Sequence, residues 1–155
     1  MIRILFVCLG NICRSPMAEF VFRDMAEKRG LGGQTAAASA ATSSYEAGNP
    51  VYPPAAALLR RQGLDPAGKR SVPLTQADGA AYDHIIGMDA ANLRDIRRIL
   101  GPGARARVSR LLDWTARPGD VADPWYTGDF ETTWNDVSAG CEALLNALFP
   151  ENEKM

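Results

Sequence analysis

Histidine is almost missing from these 155 residues, and His84 stands alone. Its place inside Tyr82-Asp83-His84-Ile85-Ile86 suits a strand and gives no Cys-His or Ser-His-Asp arrangement. Cysteine is scarce too, with Cys8, Cys13 and Cys141. Three thiols so spaced make neither a disulfide scaffold nor the paired ligands of a zinc site, so no metal and no cofactor is expected. The sequence has no Gly-rich loop ending in Lys and no G-x-G-x-x-G, which removes two nucleotide cradles. No apolar run approaches the roughly 18 residues of a membrane span, and the run from Ile4 to Leu9 is shorter than a signal-peptide core. The expectation is a cytoplasmic chain whose thiols stay reduced, with no membrane partner. An excess of either charge is also lacking: 17 Lys plus Arg against 18 Asp plus Glu give a net charge of -1. Such a balance offers no footprint for nucleic acid, so any anion bound here is held by local geometry.

What is present suffices for one core. At 46% hydrophobic residues the chain suits a single domain over 1–155. The branched apolar run from Ile2 to Cys8 predicts a strand buried on both faces. A loop follows, and from Ser15 the apolar positions Ala18, Val21, Phe22 and Met25 fall at helical spacing until Gly30, with Phe20 stranded on the polar side. Thr35 to Ala41 reads as a strand of small residues and Pro53 to Gln62 as a helix. Tyr82 to Met88 is a third strand; Asp89 caps a helix carrying Leu93, Ile96 and Leu100; Ala106 to Leu111 is a fourth strand. Helical spacing returns from Phe130 to Leu148 and places Cys141 on the apolar stripe, in the core. Alternation of this kind predicts a single-domain α/β fold. Its four-stranded parallel sheet has helices on both faces, in a Rossmann-like or flavodoxin-like three-layer arrangement. Arg105, Arg107 and Arg110 read as solvated surface.

In such sheets ligands sit beyond the carboxyl ends of the strands, where Cys8-Leu9-Gly10-Asn11-Ile12-Cys13-Arg14-Ser15 falls. Inward amides of a tight loop and the positive end of a helix make an anion cradle, and Gly10 and Asn11 tolerate the left-handed backbone it requires. Arg14 offers a planar fork for two phosphate oxygens. The same field favours the thiolate of Cys8 over its thiol, making it a nucleophile. Ser15 is placed to cap the helix or to hydrogen-bond the sulfur.

These residues resemble the signature of the low-molecular-weight protein-tyrosine phosphatase family: Cys, five residues, Arg, Ser. The resemblance extends to Ser39-Ala40-Ala41-Thr42-Ser43 with Tyr45, Gly48, Asn49 and Pro50, to Met88-Asp89 with Asn92-Leu93-Arg94-Asp95, and to Asp123-Pro124-Trp125-Tyr126. It covers residues 2 to 149. By itself Asp123-Pro124 reads equally as a turn opener; the resemblance implies a general acid. It also implies a phosphocysteine intermediate on Cys8, with Leu9, Gly10, Asn11, Ile12, Cys13 and Ser15 around the phosphate. Tyr45, Trp125 and Tyr126 would line the cleft for a phosphotyrosine protein or a small aryl phosphate, and inorganic phosphate would bind as product. Cys13 would be a redox partner that forms a disulfide with an oxidised Cys8. Similar phosphatases often carry a His and an Arg after the second helix; this chain has Lys69-Arg70-Ser71-Val72-Pro73, a departure in the layer behind Ser15. Thiol-dependent arsenate reductases look similar at the loop, but they need a downstream cysteine pair, and positions 82 to 100 contain no cysteine.

Overall fold

Strand β1 (Ile2–Cys8) runs through the interior. Ile4, Phe6 and Cys8 enter one buried cluster while Leu5 and Val7 enter another, so alternate side chains are buried on opposite faces. The computed structural model describes residues 1–150, so the last five residues of the expected domain lie outside the described residues. After β1 come α1 (Arg14–Lys28), β2 (Thr35–Ala41), α2 (Pro53–Arg61), α3 (Asp78–Ala81), β3 (His84–Gly87) and α4 (Ala90–Leu100). The chain continues through β4 (Arg107–Arg110), a 3-10 turn (Leu111–Trp114), α5 (Pro124–Thr127) and α6 (Phe130–Leu148). The four strands form one parallel sheet in the order β2-β1-β3-β4, as the alternation predicts.

One face of the sheet packs on α1, α2 and α6 through Met17, Phe22, Leu58, Leu59, Val137 and Leu144. The other packs on α4 through Ile96 and Leu100. Gly87 lets α4 lie close: a Cβ there would come within 3.0 Å of Asn92 and 3.2 Å of Ile96. That approach brings Asp89, the N-cap of α4, to the carboxyl end of β3. Strand β2, built from small residues of modest β propensity, is ordered by pairing along all of β1 from Ile2–Thr35 to Cys8–Ala41. The Arg23 guanidinium donates to Ala37 O at 2.7 and 3.0 Å and covers part of that outer strand.

Several sequence expectations are refined. Strands β3 and β4 each hold four residues rather than seven and six, because pairing stops where Tyr82, Met88 and Leu111 leave the ladder. Helix α1 begins at Arg14, and α3, the 3-10 turn and α5 span four residues each, too few for a periodic signal. Phe20 is half-buried against the core with Arg23 over its ring at 5.7 Å, which explains its place off the apolar stripe. His84 packs edge-on to Trp114 at 5.7 Å, and desolvation lowers its pKa. Cys141 is fully buried against α1, its Sγ 3.6 Å from Ala18 O, and burial pushes its thiol pKa up. Arg105 and Arg107 are exposed, Arg105 pairing with Asp83, while Arg110 is partly exposed at 24% and makes two ion pairs, so it is a paired surface residue rather than a freely solvated one.

Candidate active site

The loop from Leu9 to Arg14 forms a cradle because its carbonyls are tied outward. Cys8 O accepts from Thr42 N–H at 3.0 Å, Leu9 O from Ser43 N–H at 3.0 Å and Gly10 O from the Ser71 hydroxyl at 2.8 Å. Ile12 O accepts from Tyr52 N–H at 2.9 Å and Cys13 O from Met17 N–H at 3.2 Å. Successive peptide units whose oxygens point out have their N–H groups pointing in, which is the geometry of an anion nest. Asn11 supplies the turn with φ 56°, the only positive φ outside glycine among the described residues. Among those residues the amides of Gly10, Ile12 and Cys13 donate to no protein group.

Cys8 Sγ lies inside this ring, accepting from Asn11 N–H at 3.3 Å and standing 3.1 Å from Ser15 Oγ. Of the two roles open to Ser15, the structure selects the one at the sulfur: the N-cap of α1 is Cys13, with no side-chain capping bond. Ser15 Oγ itself accepts from Asn11 Nδ2 at 2.8 Å, so its own proton faces Cys8 Sγ or, more distantly, Ala40 O at 3.4 Å.

Behind Ser15 runs a polar chain that the sequence does not display. Asn11 Nδ2 also donates to Ser39 Oγ at 2.9 Å, Ser39 donates to Glu19 Oε1 at 2.6 Å, and Asn11 Oδ1 accepts from Val72 N–H at 3.1 Å. Lys69 Nζ reaches Glu19 at 3.6 Å and donates to Ser39 O at 3.0 Å, and Arg23 binds the other Glu19 oxygen at 2.7 Å. Burial lowers the pKa of Lys69 against the pull of Glu19. The departure at Lys69 therefore leaves the layer behind Ser15 hydrogen-bonded rather than empty.

Arg14 is 2% exposed, yet its charge is matched. Nη1 donates to Asp89 Oδ2 at 2.7 Å and to Val121 O at 2.9 Å; Nη2 lies 3.4 Å from Asp123 Oδ2. Burial opposes the charge, but Cys8, Asp89 and Asp123 outweigh it and hold the guanidinium pKa above its ordinary value. Asp89 serves two partners: Oδ1 caps α4 through Asn92 N–H at 2.7 Å while Oδ2 takes Arg14. The motif at Met88-Asp89 signalled the cap; nothing in the sequence signalled Arg14, 75 residues away.

Asp123 opens α5 and likewise divides its oxygens: Oδ1 accepts from Trp125 N–H at 3.0 Å and Oδ2 faces Arg14. Turn opener and site carboxylate are thus the same residue. Trp125 leans on Tyr52 at 4.7 Å between ring centroids, and Tyr52 stacks on Phe130 at 6.1 Å. A cavity of about 400 Å³ is lined by Cys8, Leu9, Gly10, Ile12, Cys13, Arg14, Asp123, Tyr45, Trp125 and Tyr126, and also by Ser43 and Glu46. Ser43 lies in the stretch the resemblance covers but is not assigned to the cleft by it; sequence reasoning missed Glu46 and the supporting Tyr52. Cys13 is buried; desolvation first, then the charges of Cys8 and Asp123, push its pKa up to about 12. Among the described residues all three cysteines are free, and no group of side chains is arranged to hold a metal. No helix there is long and apolar enough to cross a membrane.

Comparison with known proteins bears on the whole chain. A family model described as low molecular weight phosphotyrosine protein phosphatase matches residues 3–154. The low molecular weight protein-tyrosine-phosphatase YfkJ of Bacillus subtilis is 42% identical over 155 residues, 99% of each chain. A low molecular weight phosphotyrosine protein phosphatase of Homo sapiens is 37% identical over 147 residues, 92% of each chain. The crystal structure of YfkJ superposes with a TM-score of 0.92 over 97% of this chain and 96% of that one.

Proposed function

Because this chain belongs to the low molecular weight protein-tyrosine phosphatase family, we propose that it hydrolyses phosphotyrosine through a phosphocysteine on Cys8, with Arg14 holding the phosphoryl group and Asp123 exchanging the proton. The observation that carries this reading is the convergence of Cys8, Arg14 and Asp123, from three separate elements, on one cavity. Nη1 of Arg14 is committed to Asp89 and Val121 and one Nη2 hydrogen faces Asp123, which leaves Nε and the other Nη2 hydrogen as the fork for two phosphoryl oxygens. The free loop amides take the remaining negative charge, and this is where charge accumulates as phosphorus is attacked.

The Cys8 thiolate attacks phosphorus in line with the ester oxygen; the S–P bond forms as the P–O bond to the aryl group breaks. Asp123 gives its proton to the departing phenolate, worth an estimated 10²- to 10⁴-fold. In the second step the same carboxylate takes a proton from water as water displaces sulfur, releasing inorganic phosphate and restoring the thiolate. Ser15, fixed by Asn11, donates to the sulfur as it leaves. Tyr45, Trp125 and Tyr126 form an aromatic mouth that suits a phosphotyrosine side chain or a small aryl phosphate, because phosphoserine is too short to span the mouth and reach Cys8. The free thiols support a reducing, cytoplasmic setting, and Cys13 supports a reversible disulfide with oxidised Cys8. The arsenate reductase reading gains nothing from Cys141, which α6 buries against α1.

The test is trapping of the intermediate. Rapid quenching during turnover of a labelled aryl phosphate should leave label on Cys8 in the parent and none in Cys8→Ser. Label on another residue, or full turnover by Cys8→Ser, would refute the mechanism.

A further inference from the structure

We propose that the ion pair between Arg110 and Asp120 sets the position of the acid loop, making Arg110 a positioning residue for Asp123. This inference rests on the reading of Asp123 as the general acid.

Arg110 ends β4 opposite Gly87, at the same carboxyl end of the sheet as Cys8. Its Nε and Nη2 donate to Asp113 Oδ1 at 3.0 and 2.8 Å, and its Nη1 donates to Asp120 Oδ1 at 2.7 Å. One planar guanidinium thereby closes both ends of the excursion from Asp113 to Asp120. The same Asp120 oxygen accepts from Ala90 N–H at 3.0 Å, which pins the closed end to the first turn of α4. Between those ends Trp114 is anchored, its Nε1 donating to Ser109 Oγ at 3.0 Å and its ring against His84, but past it the hydrogen bonds of Thr115 and Arg117 run only to Leu112 and within the loop.

The next residue turns into the site. Val121 N–H donates to Met88 O at 2.8 Å, its carbonyl accepts from Arg14 at 2.9 Å, and its side chain is 1% exposed. Asp123 follows two positions on. Ala122 O in turn accepts from Thr133 Oγ1 at 3.1 Å, so the stem is held at Val121 and Ala122 and Asp120 sets the direction from which it enters; losing that anchor tilts the carboxylate rather than releasing it, and Arg14 keeps Asp89 as a partner. The pair is partly exposed, with Arg110 at 24% and Asp120 at 53%, and such pairs add little to global stability. Its contribution is geometric, so activity should respond where melting does not.

The experiment compares phenyl phosphate, whose leaving group needs a proton, with 2,4-dinitrophenyl phosphate, whose leaving group does not. Arg110→Leu should lower kcat/KM for phenyl phosphate on the order of tenfold. For the dinitrophenyl ester the loss should stay within about twofold, and inhibition by inorganic phosphate should be nearly unchanged. Asp120→Asn, whose amide oxygen still accepts from Ala90 and Arg110 but carries no charge, should show the same selectivity at a smaller size, with a melting curve close to the parent's. Arg110→Lys, a point charge without the fork, should restore part of it. In an Asp123→Ala background, Arg110→Leu should cost nothing further. Equal losses on both esters, no loss on either, or an additive loss in the Asp123→Ala background would overturn the proposal while leaving the acid reading intact. Asp123→Ala showing no leaving-group selectivity by itself would remove the acid reading and this inference together.

Discussion

The two loops that meet in the cavity are held by opposite means. The phosphate loop is fixed through its own backbone: carbonyls of Cys8, Leu9, Gly10, Ile12 and Cys13 are all engaged, and Asn11, Arg14 and Ser15 are at most 2% exposed. The acid loop shows Trp125 at 52% and Tyr126 at 76% exposure. It is held mainly by side chains: Arg14 to Val121 and Asp123, Arg110 to Asp120, Tyr52 to Trp125. A cradle for a dianion works only if several amides point at one spot before the ligand arrives, which calls for backbone rigidity. A proton donor has to place only one oxygen, and an exposed loop bearing aromatic side chains can also admit and release a substrate.

The largest effect should come from the sulfur at the centre of the rigid loop. Cys8→Ser should abolish detectable hydrolysis of aryl phosphates while still binding inorganic phosphate, measured by titration calorimetry. Loss of binding together with turnover would mean that the substitution had collapsed the cradle. Next, Asp123→Ala in the exposed loop should slow kcat/KM about 10²- to 10⁴-fold for poor leaving groups and much less for good ones. A flat dependence on leaving-group pKa would show the acid loop to be no more than a wall.

A smaller effect tests whether the rigid loop depends on the chain behind it. Lys69→Met leaves Glu19 buried with Arg23 as its remaining cation, and should destabilise the protein by about 1–3 kcal/mol in urea unfolding. It should also lower turnover for good and poor leaving groups alike, since the disturbance passes through Ser39 and Asn11 to Ser15. A leaving-group-selective loss would instead assign Lys69 to the acid loop. The smallest effect in unstressed enzyme is that of Cys13→Ala. It should turn over nearly as the parent, but after peroxide and then reductant it should recover less activity. Recovery equal to the parent's would exclude Cys13 as the protective thiol.

Legibility followed contiguity in the chain. Strand β1, the loop and the start of α1 were readable because the one stretch from Ile2 to Ser15 holds the strand pattern, the turn formers, the candidate nucleophile and the guanidinium. The resemblance supplied the acid role proposed for Asp123, which its own residues left balanced against a turn opener. Edges of β3 and β4 were overestimated because apolar character continues past the last ladder bond. Arg110 is a paired rather than a freely solvated surface residue: Asp113 is three positions on, and only the return of the chain at Asp120 shows that one guanidinium closes that loop.

Sequence alone determined that a cysteine would stand at the carboxyl end of a buried strand, ahead of a tight turn, because strand burial and turn formation are short-range properties. Only the tertiary structure decided which groups neutralise Arg14, what backs Ser15 and where Asp123 points. Those choices join residues as far as 109 positions apart. Hydrogen bonds and ion pairs act over a few ångströms, and only packing of α1, α4 and the acid loop around the end of the sheet brings such partners within reach.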